Sequence, residues 1–186
     1  AKLIERIRKS GPITIADYMA LCLGDAEHGY YTTRDPFGRA GDFTTAPEIS
    51  QMFGEMLGLW AAVVWQQMGG PERIALVEIG PGRGTLMADA LRAAGQVPLF
   101  RQAIQVHLVE TSPVLRRKQA EAVAQACPRW HDSLDSVPDG PAIILANEFI
   151  DALPIRQLSR SIDGWRERLV TVDEETGDLA YGATPA

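Results

Sequence analysis

Little in this chain could hold a metal ion or a disulfide framework. Its two cysteines, Cys22 and Cys127, lie far apart, and neither they nor its three histidines fall at metal-ligand spacing. Two free thiols in a reducing compartment are the expectation. Lysine is scarce beside arginine, 3 against 15. A P-loop lysine, a G-x-S-x-G elbow and a C-x-x-C pair are all missing, which sets aside the common NTPase, hydrolase and zinc signatures. The longest apolar run is too short to span a bilayer. Excess positive charge is missing too: the net charge of −6 argues against a broad nucleic-acid surface. The chain has 186 residues, 46% hydrophobic and 23% charged, enough for one globular domain with a substantial core and an appendage.

The rest of the chain is organised around Leu76-Val77-Glu78-Ile79-Gly80-Pro81-Gly82-Arg83-Gly84-Thr85-Leu86. An apolar run, residues 74–79, ends in three glycines at alternate positions, and a helical pattern over residues 85–94 follows at once. Strand, tight turn and helix are predicted. The glycines let the backbone turn sharply and let a ligand approach where a Cβ would block it. The helix N-terminus offers unpaired N–H groups and partial positive charge. The dinucleotide fingerprint G-x-G-x-x-G fits poorly, because the third glycine comes one residue early and Thr85 stands in the expected place. Glu78, near the strand end, would repel a diphosphate and attract an ammonium or sulfonium group. The stretch is similar to motif I of the class I S-adenosylmethionine (SAM) methyltransferases.

Upstream, residues 2–9 read as an amphipathic helix stopped by Gly11-Pro12. Thr14 reads as the N-cap of a helix ending at Gly24. Residues 25–44 have no clear periodicity and read as a lid-like or mobile loop. Thr45-Ala46-Pro47-Glu48 has capping-box form, and a long helix is predicted from it to about Met68. Its stripe of Ile49, Met52, Phe53, Met56, Leu57, Trp60, Val63 and Val64 is most simply core packing. Gly69-Gly70-Pro71 then suggests a boundary between a helical N-terminal region, residues 1–70, and a Rossmann-like domain, residues 71–186.

Downstream, strands are predicted at residues 104–109, 129–131 and 142–146, with a helix from Ser112-Pro113 to about Ala126. That βαβ order implies a mostly parallel sheet. Residues 155–159, 165–172 and 178–181 read instead as an antiparallel meander attached to it. The sheet has fewer strands than a doubly wound domain needs, so a truncated domain is expected.

Ligands of open α/β sheets lie beyond the carboxyl ends of the strands. Four features fall there. Glu78 with Gly80, Pro81, Gly82, Gly84 and Thr85 ends the first strand. Glu110 ends the second, where a carboxylate can accept from ribose hydroxyls. Asp132 and Ser133 follow the third, beside the expected adenine. Asn147, Glu148 and Asp151 follow the fourth, beside the expected reactive methyl. Each has a plainer alternative as a solvated strand end, a turn cap or a helix-start acid. Thr45, Pro47 and Glu48 are candidates to close over the cofactor, unless Glu48 only completes the capping box.

Three segments carry a family resemblance: Gly41-Asp42-Phe43-Thr44-Thr45-Ala46-Pro47-Glu48-Ile49-Ser50-Gln51-Met52-Phe53-Gly54-Glu55, the glycine-rich stretch, and Ala146-Asn147-Glu148-Phe149-Ile150-Asp151-Ala152-Leu153-Pro154. The chain resembles the MidA family of SAM-dependent methyltransferases, whose mitochondrial members act in respiratory complex I assembly. The resemblance implies a Rossmann-like class I fold, SAM as cofactor and no metal. It also implies symmetric dimethylation of a protein arginine, with a complex I core subunit as the possible partner. Family proteins are about twice this length. The location implied is the bacterial cytoplasm, or the mitochondrial matrix if the source is eukaryotic. Glu148 and Asp151 are then the candidates to hold a guanidinium, with Asn147 orienting the site. A nicotinamide oxidoreductase, a non-catalytic SAM-fold assembly factor and a small-molecule methyltransferase are the competing readings.

Overall fold

In the computed structural model, which describes residues 2–25, 27–33 and 45–185, short apolar segments pair as the backbone of the fold. Two compact units are present, one formed by Arg34–Asp151 and the other by Ala1–Thr33 with Ala152–Ala186.

The second unit contains helix α1 (Lys2–Ser10), the two-residue strand β1 (Ile13–Thr14), helix α2 (Ile15–Gly24) and the short helix α3 (Tyr30–Thr33). Thr14 caps α2 as predicted, its side chain accepting from the Asp17 N–H.

The first unit begins, among the described residues, with α4 (Ala46–Ile49) and α5 (Gln51–Gln67). These were expected to be one helix. Ser50 separates them with an extended backbone, φ −144° and ψ 117°. Strand β2 (Ile74–Ile79) and helix α6 (Thr85–Ala94) follow. A helix not anticipated from the sequence, α7 (Pro98–Ala103), precedes β3 (Ile104–Val109) and buries Phe100 against Trp65 at 5.5 Å between ring centroids. Then come α8 (Pro113–Ala122), β4 (Arg129–His131) and β5 (Ala142–Leu145). The four strands form a parallel sheet in the order β4-β3-β2-β5. All four therefore end on one side, and the register sets Glu78 level with Leu108 and Leu145, and Leu108 level with Trp130.

The packing of α5 differs from expectation for a steric reason. Ile49 just before it, and Met52, Met56, Trp60 and Val63 along it, are exposed rather than core. Gly54, Gly58, Ala61, Ala62 and Trp65 face inward instead. A Cβ on Gly58 would stand 2.3 Å from the Ala90 carbonyl oxygen, so the backbones of α5 and α6 touch there. Small residues at helical spacing mark the closest contact, while Phe53, Leu57 and Val64 of the expected stripe pack partly buried against the core beside Trp65. Through this contact α5 belongs with the parallel sheet, and the units do not divide at residue 70.

In the second unit, β6 (Leu158–Ser161), β7 (Gly164–Val172) and β8 (Leu179–Ala183) form the expected antiparallel meander. It pairs with β1 rather than joining the parallel sheet: Ile13 sits opposite Val170 and Thr14 opposite Leu169. Ile7, Ile13, Ile15 and Val170 form its small core. Its first strand starts at Leu158, later than the sequence suggested. Among the described residues no helix is long and apolar enough to cross a membrane.

Candidate functional site

The glycine-rich turn has the left-handed backbone its sequence demands. Gly80, Gly82 and Gly84 adopt φ of +65°, +54° and +85°, and the Gly84 N–H donates to the Pro81 carbonyl at 2.8 Å. Neighbouring residues also crowd two of these glycines. A Cβ on Gly80 would lie 2.4 Å from the Phe149 ring, and one on Gly84 would lie 3.3 Å from Gln119 Cα. Gly80 therefore admits the ring of the segment after β5, besides permitting the turn.

Glu78 is buried beneath α6 on the same sheet face as Leu76. The Met87 N–H, in the first turn of α6, donates to its carboxylate, while its Oε2 is buried with no partner. Burial pushes this carboxyl up to about 8, against an ordinary 4.5. A second carboxylate, Glu48, also meets the start of α6. It accepts from Thr85 Oγ1 at 2.6 Å and lies 3.8 Å from the Arg83 guanidinium. The expected capping box is not formed, since Thr45 makes no side-chain cap bond and Glu48 reaches across to α6. The Glu48 carboxylate already occupies the positive end of α6, so a phosphate there would meet like charge. An ammonium would find Glu78 Oε2 in need of a donor.

Glu110 leaves the end of β3 half-buried. Its Oε1 accepts the Ser112 N–H at 2.8 Å, and its Oε2 the Gln119 amide at 3.2 Å. Burial raises its pKa, and the donors from Ser112 and Gln119 oppose that rise. Asp132 and Ser133 are exposed beyond β4. Arg116 donates to Asp132 Oδ1 at 2.6 Å and also to the Glu110 carbonyl, tying the ends of β3 and β4 together. Sequence reasoning missed this arginine, and missed the contact of buried His107 with half-buried His131, whose ring nitrogens lie 2.8 Å apart. Burial, then the neighbouring His131 and Arg129, keep His107 below its usual pKa.

Beyond β5, Asn147 is half-buried while Glu148 and Asp151 are exposed. Glu148 has φ +48°, a left-handed backbone rare for a residue with a Cβ. A cavity of about 340 Å³, lined mainly by apolar side chains of α5, α6 and β5, reaches Asn147. Thr45 is half-buried and Pro47 buried. The features expected at the ends of the four strands are thus at one edge of one sheet.

A parallel sheet with a glycine-rich turn after a central strand, a buried acid at that strand's end and a second acid on the next strand defines a Rossmann-like fold of the class I methyltransferase kind. Comparison with known proteins agrees. Residues 56–186 match the family described as "Putative S-adenosyl-L-methionine-dependent methyltransferase", and the chain belongs to that family. It is 41% identical over 203 aligned residues to the mitochondrial protein arginine methyltransferase NDUFAF7 of Danio rerio, covering 96% of this chain and 48% of that one. The human protein of the same name is 39% identical, with 99% of this chain and 48% of the relative covered. A crystal structure from Burkholderia thailandensis, bound to S-adenosyl-homocysteine, superposes with a TM-score of 0.81 at 28% identity, over 100% of this chain and 49% of that one. The chain thus spans about half the length of the curated relatives it matches.

Proposed function

We propose that this chain supplies the cofactor-binding half of a SAM-dependent protein arginine methyltransferase. The observation that carries the reading is Glu78: a buried carboxylate with one unpartnered oxygen, at the mouth of a glycine-rich turn whose helix end is already met by acids. That donor set fits the ammonium of an amino-acid-bearing cofactor and disfavours a diphosphate. Gly80, Pro81, Gly82, Gly84 and Thr85 form the floor of the site. Glu110 would take the ribose hydroxyls, and Asp132 and Ser133 the adenine edge. Thr45 and Pro47 stand beside it, in the segment that holds Glu48.

SAM supplies an electrophilic methyl group. The chain's own part is alignment of the nucleophile, worth about 7–11 kcal/mol where geometry is well set. Glu148 and Asp151 would hold the target guanidinium through paired hydrogen bonds, with Asn147 fixing its plane. The strained backbone of Glu148 suits a residue placed for function. The similarity to mitochondrial arginine methyltransferases supports a protein substrate. The MidA resemblance adds a finer proposal: symmetric dimethylation of an arginine in a complex I core subunit, in a mitochondrial matrix or bacterial cytoplasmic setting.

Calorimetric titration with S-adenosylhomocysteine, with NAD as control, tests the cofactor reading. Micromolar binding of the first and none of the second is expected; NAD binding alone would overturn it. Mass spectrometry of arginine peptides incubated with SAM then tests the substrate class.

A further inference from the structure

Gln119 is a buried side chain whose amide is hydrogen-bonded at both ends. It lies on α8 with 0% exposure. Its Nε2 donates to the Gly82 carbonyl at 2.8 Å and to Glu110 Oε2 at 3.2 Å. Its Oε1 accepts from Trp130 Nε1 at 2.9 Å. Two donors and one acceptor meet two acceptors and one donor. The indole only donates and the Gly82 carbonyl only accepts, so the amide has one permitted orientation. These partners belong to three separate segments: the glycine-rich turn after β2, the end of β3, and β4. Packing enforces the join, since Gly84 lies against the Gln119 backbone.

A buried amide is costly to desolvate, and a leucine or methionine would fill this volume at lower cost. What the amide does, and an apolar side chain cannot, is fix a carboxylate. Ser112 N–H holds one oxygen of Glu110 and Gln119 holds the other, with the Thr111 N–H also donating to the carboxylate; these three donors do not exhaust the roughly four acceptor sites of a carboxylate.

We propose that Gln119 is a positioning residue for cofactor recognition, locking the Glu110 carboxylate to the glycine-rich turn so that it meets the ribose hydroxyls in one geometry. This rests on reading the site as a SAM site. Gln119 touches no ligand in this arrangement; it acts through Glu110 and Gly82. A site preorganised to pair a hydroxyl discriminates strongly against a ligand lacking it, because the pairing group is then left unsatisfied.

The test compares S-adenosylhomocysteine with its 2′-deoxy analogue by calorimetry, on the wild type, Gln119→Leu and Trp130→Phe. The wild type should prefer the ribose ligand by about tenfold to a hundredfold, the range for a hydrogen bond to a charged group. In Gln119→Leu the preference should collapse toward unity, through loss of affinity for the ribose ligand alone. A merely structural glutamine would weaken both ligands in parallel and keep their ratio. Trp130→Phe keeps the ring and removes the indole N–H that orients the amide. It should give an intermediate ratio, and it decides the matter if Gln119→Leu does not fold. A wild-type ratio kept in a folded variant overturns the proposal, as does a wild type that binds both ligands equally. A wild type that binds neither ligand overturns the SAM reading itself, and the proposal with it.

Discussion

Cofactor binding should expel a proton from Glu78. In the free protein burial raises this carboxyl to about 8. At pH 7 the side chain is then about nine-tenths protonated, one unit below its midpoint. An ammonium docked against Oε2 stabilises the charged form, so the proton leaves as the ligand arrives. Binding at pH 7 should release about 0.9 proton, falling to roughly half at pH 8. Over pH 6–7 the affinity should rise close to tenfold per unit, then flatten as pH 8 is passed. Calorimetry in phosphate and in Tris at the same pH reads the number directly, from the dependence of apparent enthalpy on buffer ionisation. Glu78→Gln should release none and bind weakly at every pH. The same shift governs stability without ligand. The folded-state pKa is raised, so Glu78 contributes its stabilisation fully below its unfolded value and loses it as pH climbs through about 8. Full ionisation in the empty site costs on the order of 5 kcal/mol at most. Thermal unfolding of Glu78→Gln should therefore show less decline between pH 5 and pH 8 than the wild type. No buffer dependence at pH 7, or equal proton release from Glu78→Gln, would refute the reasoning.

Other perturbations have equally definite outcomes. Gly58→Ala gains about 1 kcal/mol of helix propensity but sets a Cβ 2.3 Å from the Ala90 carbonyl, which cannot swing aside. A net loss of about 1–3 kcal/mol, or a melting temperature lower by roughly 2–10 °C, is expected in a thermal melt. Glu148→Gln should leave S-adenosylhomocysteine affinity within about twofold and reduce methyl transfer by at least a hundredfold, as for loss of a transition-state contact; undiminished turnover would remove it from the site. A double-mutant cycle of Glu48→Ala and Thr85→Val should show a coupling of about 1.5–3 kcal/mol, the value for a hydrogen bond to a charged group. Additive effects would mean that Glu48 only borders α6.

Much of this was legible before any coordinates, and the reasons are local. Residues 74–79 are apolar but for Glu78, and residues 104–109 but for Gln105 and His107, so both declared themselves as strands of a parallel sheet. Thr14 and Ser112 declared helix starts by cap chemistry. The alternation of strand and helix then fixed which strand ends would share an edge, and hence the grouping of Glu78, Glu110, Asp132 and Asn147. Harder to read was whatever depends on tertiary partners. The inward face of α5 is set by how closely α6 can approach, which favoured Gly54 and Gly58 over Met52 and Met56. Glu48 fitted a capping pattern, yet a stronger partner, Thr85, lay across the turn. Gln119 and Arg116 carry no motif. Their importance comes from segments distant in sequence that meet only after folding.

The pairing of Ile13 with Val170 has a consequence for synthesis. Arg34–Asp151 is continuous in sequence, so all its contacts exist once that stretch has left the ribosome. The opening helices and β1 cannot find β7 until almost all of the chain described here has been made. Ile7, Ile13 and Ile15, which end in the small core with Val170, must wait in solution through that interval. Closing so long a loop adds only slowly growing entropy to the final stability, but it makes this the late step. A nascent chain stalled before residue 164 should show a protease-resistant parallel-sheet unit and a cleavable N-terminus, and lengthening it through β7 should protect both.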